Sequence, residues 1–261
     1  AMSRRQRQMC IRDRFNIKGI ENYSLDRAFT LPSVQERNLM ILDNGHAPVV
    51  GERYFHFDKE LFDLCPDHIS LNGFFQTEKY FKHIEDEIRK EFTFHEDILE
   101  PCREMVDSLD SAPIFLHVRR GDPNLVDPRG FKWSYTECSD QHPPQPLEYY
   151  EKALELFPED VPVVVCSDSP EWVQEQEIFK PDRFAISIPE DKYDDGSYEP
   201  FIDLCLMSLC SGAIIANSTM SWWGAWLQGG RGKVVAPKMW FGPAYPNNDT
   251  KDLYPEGWTL L

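Results

Sequence analysis

The C-terminal half of the chain alternates short, continuously apolar runs with segments whose apolar residues recur at helical spacing. The apolar runs predict strands at 113–118, 161–166, 184–188, 213–216 and 233–236. The segments between them predict helices at 146–157, 170–179, 199–210 and 221–228. Strands without polar alternation are buried on both faces, so this alternation predicts an α/β fold with a parallel sheet covered by helices on both sides.

The N-terminal half is less regular. It contains two predicted strands, 54–57 and 69–75, and a predicted helix at 80–92 with one apolar stripe. The segment 123–146, which follows the first strand of the C-terminal half, is long, polar and proline-rich. A segment of that kind predicts a functional or mobile loop.

The charge of the chain restricts its partners. Lys and Arg number 27 against 44 Asp and Glu, giving a net charge of −17. Such a surface repels phosphate backbones and anionic lipid, which argues against nucleic-acid or membrane-surface binding, so an anionic ligand needs a local cationic site. No apolar run approaches the ~20 residues of a membrane span, no signal peptide is visible, and the seven cysteines form no C-x-x-C pair. These features predict a cytoplasmic protein with reduced thiols.

The first polar motif at a strand end is H-V-R-R-G-D, residues 117–122. Two adjacent guanidinium groups suit phosphate oxygens, because arginine stays charged and binds them bidentately. The alternative is that Arg119 and Arg120 pair with surface carboxylates. His117, within an apolar strand, is either part of the site or a satisfied core group.

Two further motifs follow neighbouring strands. The segment 166–172 (C-S-D-S-P-E-W) is typical of a helix N-cap and also offers amides and hydroxyls to a ribose or phosphate. The segment 216–226 (A-N-S-T-M-S-W-W-G-A-W) leads four small polar residues into a helix with three tryptophans. Free amides at a helix N-terminus bind anions. The tryptophans serve either core packing or sugar stacking, and packing is favoured.

Taken together, these motifs resemble glycosyltransferase family 11, the α-1,2-fucosyltransferases. The order H-x-R-R-G-D, S-D-x-P-E-W, A-N-S-T-x-S-W-W-G-A-W-L and A-P-K-x-W-F carries the resemblance. Segments 73–81 (G-F-F-Q-T-E-K-Y-F) and 255–258 (P-E-G-W) are similar to further parts of the family, so the match spans about 73–258.

The resemblance implies a GT-B-like architecture. Residues 111–261 would form a Rossmann-like domain that binds the nucleotide-sugar donor, and 15–110 a smaller acceptor-side region. The implied reaction is inverting transfer of L-fucose from GDP-β-L-fucose to the 2-hydroxyl of a terminal galactose in a glycan acceptor. No metal and no cofactor are expected, because arginine can neutralise the departing diphosphate in place of Mg²⁺.

The resemblance also suggests roles for individual residues. Arg119 would hold the β-phosphate, and Arg120 would support it or bind the acceptor side. The residues expected at the donor, besides the two arginines, are His117, Asp168, Asp203, Asn217, Ser218, Thr219 and Ser221. Asp203 would read guanine or, alternatively, interact with a helix dipole. Asp122 is the preferred general base, with Asp127, His117 or no base at all as alternatives.

The sequence departs from the family at its start. The expected Gly-Gly-x-Gly-Asn-Gln segment of the first strand has no match, so the acceptor domain is expected to be truncated, and residues 1–14 to be a non-native or disordered leader. One alternative is therefore a catalytically impaired fragment that binds GDP or GDP-fucose. Another is a glycoside hydrolase with paired carboxylates. The lack of a visible anchor suggests a bacterial or viral origin.

Overall fold

A computed structural model describes residues 25–33, 48–67, 69–126, 132–136, 138–188 and 200–261, with the backbone alone at 26, 122–126 and 132–134. The expected leader, 1–14, lies outside the described residues. The chain divides into two compact units. One comprises Ala1–His95 with Asn247–Glu256, and the other comprises Glu96–Pro246 with Gly257–Leu261.

The first unit contains short elements around an aromatic core. Its strands β1 (Val49–Gly51) and β2 (Ser70–Asn72) pair in parallel. Its helices are α1 (Leu25–Ala28), α2 (Lys59–Leu64) and α3 (Glu85–Glu91), with 3₁₀ turns at Glu78–Tyr80 and Lys82–Ile84. Phe57, Phe62 and Phe75 pack their rings around Tyr80.

The sequence-based elements of this unit are only partly confirmed. The strand predicted at 54–57 is wrong: pairing with β2 ends at Glu52, and the amide of Phe57 donates to a carboxylate oxygen of Asp252 at 3.1 Å instead. The strand predicted at 69–75 shortens to β2, and the helix predicted at 80–92 is a 3₁₀ turn followed by α3.

The second unit contains a six-stranded sheet and an inserted hairpin. The sheet strands are β3 (Ile114–Val118), β6 (Val163–Ser167), β7 (Phe184–Ile186), β8 (Ala213–Ile214), β9 (Val234–Ala236) and β10 (Thr259–Leu260). The helices are α4 (Glu96–Asp107), α5 (Leu147–Leu154), α6 (Pro170–Glu175), α7 (Pro200–Leu209) and α8 (Thr219–Leu227). Strands β4 (Gly121–Val126) and β5 (Lys132–Ser134) pair antiparallel, so the first part of the segment predicted as a loop at 123–146 contains strands.

The order of the sheet identifies its topology. The strands lie in the order β10-β9-β8-β3-β6-β7, and every pair is parallel. Numbered along the second unit, this is the Rossmann order 3-2-1-4-5-6. Strands β3 and β6 are buried throughout, as their uninterrupted apolar sequences require. The expected α/β class with a parallel, Rossmann-like sheet in the C-terminal part is confirmed.

The compact units differ from the functional domains expected at 15–110 and 111–261. Helix α4 packs against α7 and belongs to the second unit, whereas Asn247–Glu256 belongs to the first. The assignment of acceptor and donor roles to the two parts stays a prediction. In the portion of the chain that is described, no helix is both long and apolar enough to cross a lipid bilayer.

Candidate functional site

The sheet places two of the motifs side by side. Strand order reverses between β3 and β8, which are direct neighbours. In open parallel sheets, ligands bind outside the carboxyl ends of the strands at such a reversal. The segments after Val118 and Ala216 flank this point, and the segment after Ser167 follows the next strand along.

The chain after β3 wraps around one carboxylate. The amide of Arg120 donates to Oδ1 of Asp168 at 3.0 Å, and the amide of Gly121 donates to Oδ2 at 2.7 Å. The Arg119 guanidinium Nη1 lies 2.9 Å from Oδ2. Gly121 has φ +75°, which favours glycine, and its carbonyl accepts from the Ser169 hydroxyl at 3.2 Å. Asp168 therefore fixes the position of both arginines and of the turn that carries them.

The Arg119 side chain is held but not fully satisfied. It is 30% exposed, yet its Nε is buried and has no hydrogen-bond partner among the described residues. Its Cζ lies 5.1 Å from the centre of the Tyr135 ring. Burial lowers the pKa of Arg119, but the negative field of Asp168 and contact with Tyr135 more than offset this, so the pKa is raised overall. The site thus presents a permanent cation with an unused donor.

Arg120 and His117, which lie close to Arg119 in the chain, have different environments. The Arg120 guanidinium stacks on Trp172 at 4.0 Å from the ring centre, which favours the supporting role over a free phosphate contact. His117 is buried, and no described residue bonds to its Nδ1. Burial and the field of Arg119 lower the pKa of His117 to about 3. A neutral imidazole sealed from solvent is poorly suited to act as the general base.

Asn217 follows β8, and the oxygen and both hydrogens of its side-chain amide form hydrogen bonds within the protein. Its Oδ1 accepts from Gln145 Nε2 at 3.0 Å, and its Nδ2 donates to the carbonyls of Pro143 at 3.0 Å and Trp240 at 3.1 Å. Because both amide hydrogens are used, this side chain has a positioning role, and its predicted contact with the donor stays a prediction.

The start of α8 offers backbone groups more than hydroxyls. Ser218 is the N-cap, without a side-chain capping bond, and Thr219 is exposed. The hydroxyl of Ser221 is fully buried and bonds to the carbonyls of Ala216 and Ser218 at 3.3 and 3.2 Å. The amides at the N-terminus of α8 are therefore the groups suited to an anion, and the expected donor contacts of Ser218, Thr219 and Ser221 stay predictions.

Packing accounts for two of the tryptophans of α8. Trp222 and Trp226 are buried, and ring contacts of 5.2 and 5.5 Å link them through Trp223. Trp222 also contacts Trp258 at 5.7 Å. These contacts agree with core packing, the role that the sequence favours for these tryptophans.

Asp203, in the first turn of α7, is buried at the same edge of the sheet. Its Oδ1 accepts from the Ser187 hydroxyl at 2.6 Å. Burial raises the pKa of Asp203 to about 6, although bonds from Ser187 and Cys166 act in the opposite direction, and the field of Asp168 adds to the rise. Both the predicted guanine contact and the helix-dipole role remain compatible with this position.

An aromatic cluster beside Arg119 could not be recognised from the sequence. His142 lies 5.5 Å from Tyr135, 5.6 Å from Phe241 and 5.7 Å from Tyr245, measured between ring centres. The one usable signal was the A-P-K-x-W-F motif, which ends at Phe241. The side chain of Asp122 and all of Asp127 lie outside the described residues, so the prediction for the base is unchanged there. Among the described side chains, no cluster of three or more His, Cys, Asp or Glu could hold a metal ion.

The fold and the site together define a Rossmann-type α/β protein with a cationic turn at the point where strand order reverses. The model of glycosyl transferase family 11 matches residues 33–261. The chain belongs to this family.

Relatives within the family come from bacteria and animals. The O-antigen biosynthesis glycosyltransferase WbnK of Escherichia coli is 32% identical over 201 residues, which cover 73% of this chain and 60% of that protein. An α-1,2-colitosyltransferase of Escherichia coli is 24% identical over 95% of this chain and 88% of its own length. The galactoside α-(1,2)-fucosyltransferase 1 of Homo sapiens is 27% identical over 66% of this chain and 46% of its own. The chain thus spans about half to nine tenths of the length of these relatives.

Among solved structures, the fucosyltransferase NodZ from Bradyrhizobium is similar at a TM-score of 0.39 and 14% identity, over 63% of this chain and 54% of that one. An α-1,6-fucosyltransferase NodZ co-crystallised with GDP gives the same values. A likeness of this size carries no argument about the site.

Proposed function

We propose that this protein is an inverting, metal-independent glycosyltransferase that moves L-fucose from GDP-β-L-fucose to the 2-hydroxyl of a terminal galactose in a glycan acceptor. Membership of family 11 supports glycosyl transfer. The galactoside α-(1,2)-fucosyltransferase and α-1,2-colitosyltransferase relatives support an α-1,2 linkage and a deoxyhexose donor. The bacterial relatives also support the proposal that the acceptor is a surface-glycan precursor.

The observation that carries the proposal is the state of Arg119. Its guanidinium is anchored by Asp168 and partly open to solvent, and its buried Nε has no partner in the part of the chain that the structure describes. A buried donor without a partner costs about 1–3 kcal/mol, so it persists best where a ligand supplies the acceptor. A diphosphate at the reversal between β3 and β8 would supply that acceptor and would also meet the amides at the N-terminus of α8.

In the proposed reaction, the acceptor 2-oxygen attacks the anomeric carbon of the donor and the bond to the β-phosphate oxygen breaks. The electron pair stays on GDP, and the negative charge that develops is neutralised by Arg119, with Arg120 held beside it on Trp172. Asp203 is proposed to contact the guanine. From the sequence, Asp122 is the preferred base, with Asp127, His117 or no base at all as alternatives.

The proposal is tested by calorimetry with GDP and by transfer of fucose to lactose. Arg119→Ala should abolish transfer and weaken GDP binding by ~2–3 kcal/mol, the range for a charged hydrogen bond. Arg103→Ala, on the exposed surface of α4, is the matched control and should behave as wild type. Unchanged GDP affinity in Arg119→Ala would refute the assignment. GDP binding by the wild type without any transfer would support the alternative, a GDP-binding protein without catalysis.

Metal independence has its own test. Because arginine supplies the positive charge, EDTA should leave the transfer rate unchanged. Clear inhibition by EDTA that added Mn²⁺ reverses would reject this part of the mechanism. The same assay with GDP-colitose in place of GDP-fucose measures which deoxyhexose the donor site prefers.

A further inference from the structure

The aromatic cluster of Tyr135, His142, Phe241 and Tyr245 places an imidazole beside the proposed leaving-group site. The Tyr135 ring is the shared neighbour: the Arg119 Cζ lies 5.1 Å from its centre, and the His142 ring centre lies 5.5 Å from it. Arg119 and His142 are therefore no farther apart than the sum of these two distances.

This cluster is built on fixed backbone. The His142 amide donates to the carbonyl of Cys138 at 2.8 Å, and the amide of Gly242 donates to Gln141 at 2.8 Å. A Cβ at Gly242 would lie 2.4 Å from the carbonyl oxygen of Asp140, so the two loops are in direct contact. Asn217 bonds to both loops, through Pro143 and Trp240.

The imidazole of His142 is available for chemistry. Within the part of the chain that the structure describes, no hydrogen bond to either ring nitrogen is seen, and the residue is half-buried. Burial and the field of Arg119 lower the pKa of His142, so the ring is neutral near pH 7 and able to accept a proton. Arg119 is the charged group whose field reaches this ring, and Tyr135 and Tyr245 are the titratable side chains in contact with it.

The separation suits an inverting displacement. The attacking oxygen and the leaving oxygen lie on opposite sides of the anomeric carbon, so a base and a leaving-group cation sit at opposite ends of one reacting line. Two hydrogen bonds of about 2.8 Å, an attack distance of about 3.2 Å and the breaking C–O bond of about 1.4 Å give that line a length of about 10 Å. The two distances to the Tyr135 ring centre, 5.1 and 5.5 Å, set an upper limit on the separation of Arg119 and His142 that is compatible with this length.

We propose that His142 is the general base of the transfer reaction. An imidazole nitrogen takes the proton of the acceptor 2-hydroxyl while that oxygen bonds to the anomeric carbon, and the electron pair of the broken bond leaves with GDP. The imidazolium then returns its proton to water. This inference rests on the proposed function, and it competes with the sequence-based assignment of Asp122.

The test measures kcat against pH and GDP affinity for His142→Asn and His142→Gln. Both variants should lower kcat about 100-fold or more, bind GDP within twofold of wild type and lose the acidic limb of the pH profile. His95→Asn, in the first unit, is the matched control and should keep the wild-type rate and profile. Asp122→Asn should retain the acidic limb.

Several results would overturn the inference. A kcat within threefold of wild type, with an unchanged pH profile, would exclude His142 as the base. Loss of GDP binding in both His142 variants would show a structural role. Loss of the acidic limb in Asp122→Asn alone would assign the base to Asp122. These failures differ from failure of the proposed function, in which the wild type itself transfers no fucose and the inference falls with it.

Discussion

The chain segments after β3 and β8 lie side by side, yet they satisfy their polar groups in opposite ways. After β8, the Asn217 side chain accepts a hydrogen bond from Gln145 and donates both amide hydrogens to the carbonyls of Pro143 and Trp240. After β3, Nε of Arg119 is buried and meets no hydrogen-bond partner within the described ranges, and the same holds for Nδ1 of His117 within the strand.

This difference separates positioning from binding. A fully satisfied buried amide holds loops in place, whereas a buried donor without a partner persists at a free-energy cost that a ligand can remove. The β8 side therefore acts through its backbone amides and the loops it holds. The β3 side acts through its charged side chain, which Asp168 orients.

The largest effect is expected at Asp168, which bonds the Arg120 and Gly121 amides and pairs with Arg119. Asp168→Ala should lower the free energy of unfolding by about 3 kcal/mol and GDP affinity about tenfold, because three charge-assisted contacts are lost together. Asp168→Asn keeps two acceptor sites on one oxygen, so its losses of unfolding free energy and of GDP affinity should both be smaller. Denaturant titration and calorimetry measure both quantities. Wild-type stability in Asp168→Ala would show that the turn does not depend on this carboxylate.

Asp203 has a hydrogen-bond partner, Ser187, as Asn217 has partners. Its burial nevertheless carries a free-energy cost, as the burial of Arg119 Nε does. Its pKa is about 6 when folded, against an ordinary value of 3.8. The raised pKa gives a contribution to stability that is complete below pH 3.8 and is lost as the pH rises through 6. In Asp203→Asn this loss is absent. The difference in unfolding free energy between the variant and wild type should therefore shift in favour of the variant by about 2 kcal/mol between pH 4 and a pH above 7.

Urea titrations at pH 4 and pH 8 test this pH dependence. Parallel stability profiles of the wild type and Asp203→Asn would show that Asp203 is not desolvated as described. GDP calorimetry on the same variant tests the guanine contact separately, since loss of that contact should weaken GDP binding even while the stability of the variant relative to wild type rises between pH 4 and pH 8.

A smaller change in stability, with little change in binding, is expected at Asn217. Asn217→Ala should lower the free energy of unfolding by about 1–2 kcal/mol, because buried groups of Gln145 and two carbonyls lose a partner. GDP affinity should stay within threefold of wild type. If GDP affinity fell strongly while stability stayed unchanged, Asn217 would contact the donor, and the contrast between the two strand ends would fail.

The sequence was most informative where local pattern and structure coincide. Continuous apolar runs predicted the strands of the Rossmann-like sheet, and a proline in the first turn marked α6. The β4–β5 hairpin escaped prediction because its polar residues show no apolar period. The strand at 54–57 was predicted from an aromatic run whose backbone finds a carboxylate instead of a neighbouring strand.

The site shows the same division. Arg119 and Asp168 were recognisable because charged and polar residues directly follow buried strands. The roles of Asn217 and Ser221 were not, because hydrogen-bond saturation depends on partners such as Gln145, 72 positions away. The cluster around His142 was hidden for the same reason, since Tyr245 lies in a loop about a hundred residues further along the chain.

The most direct test of the account is a crystal structure of the protein with GDP. It should show the diphosphate at the carboxyl ends of β3 and β8, with Arg119 Nε within hydrogen-bond distance of a β-phosphate oxygen and the Asp168 contact retained. A diphosphate bound elsewhere, or an Arg119 that touches only Asp168 while GDP is bound, would contradict the central claim.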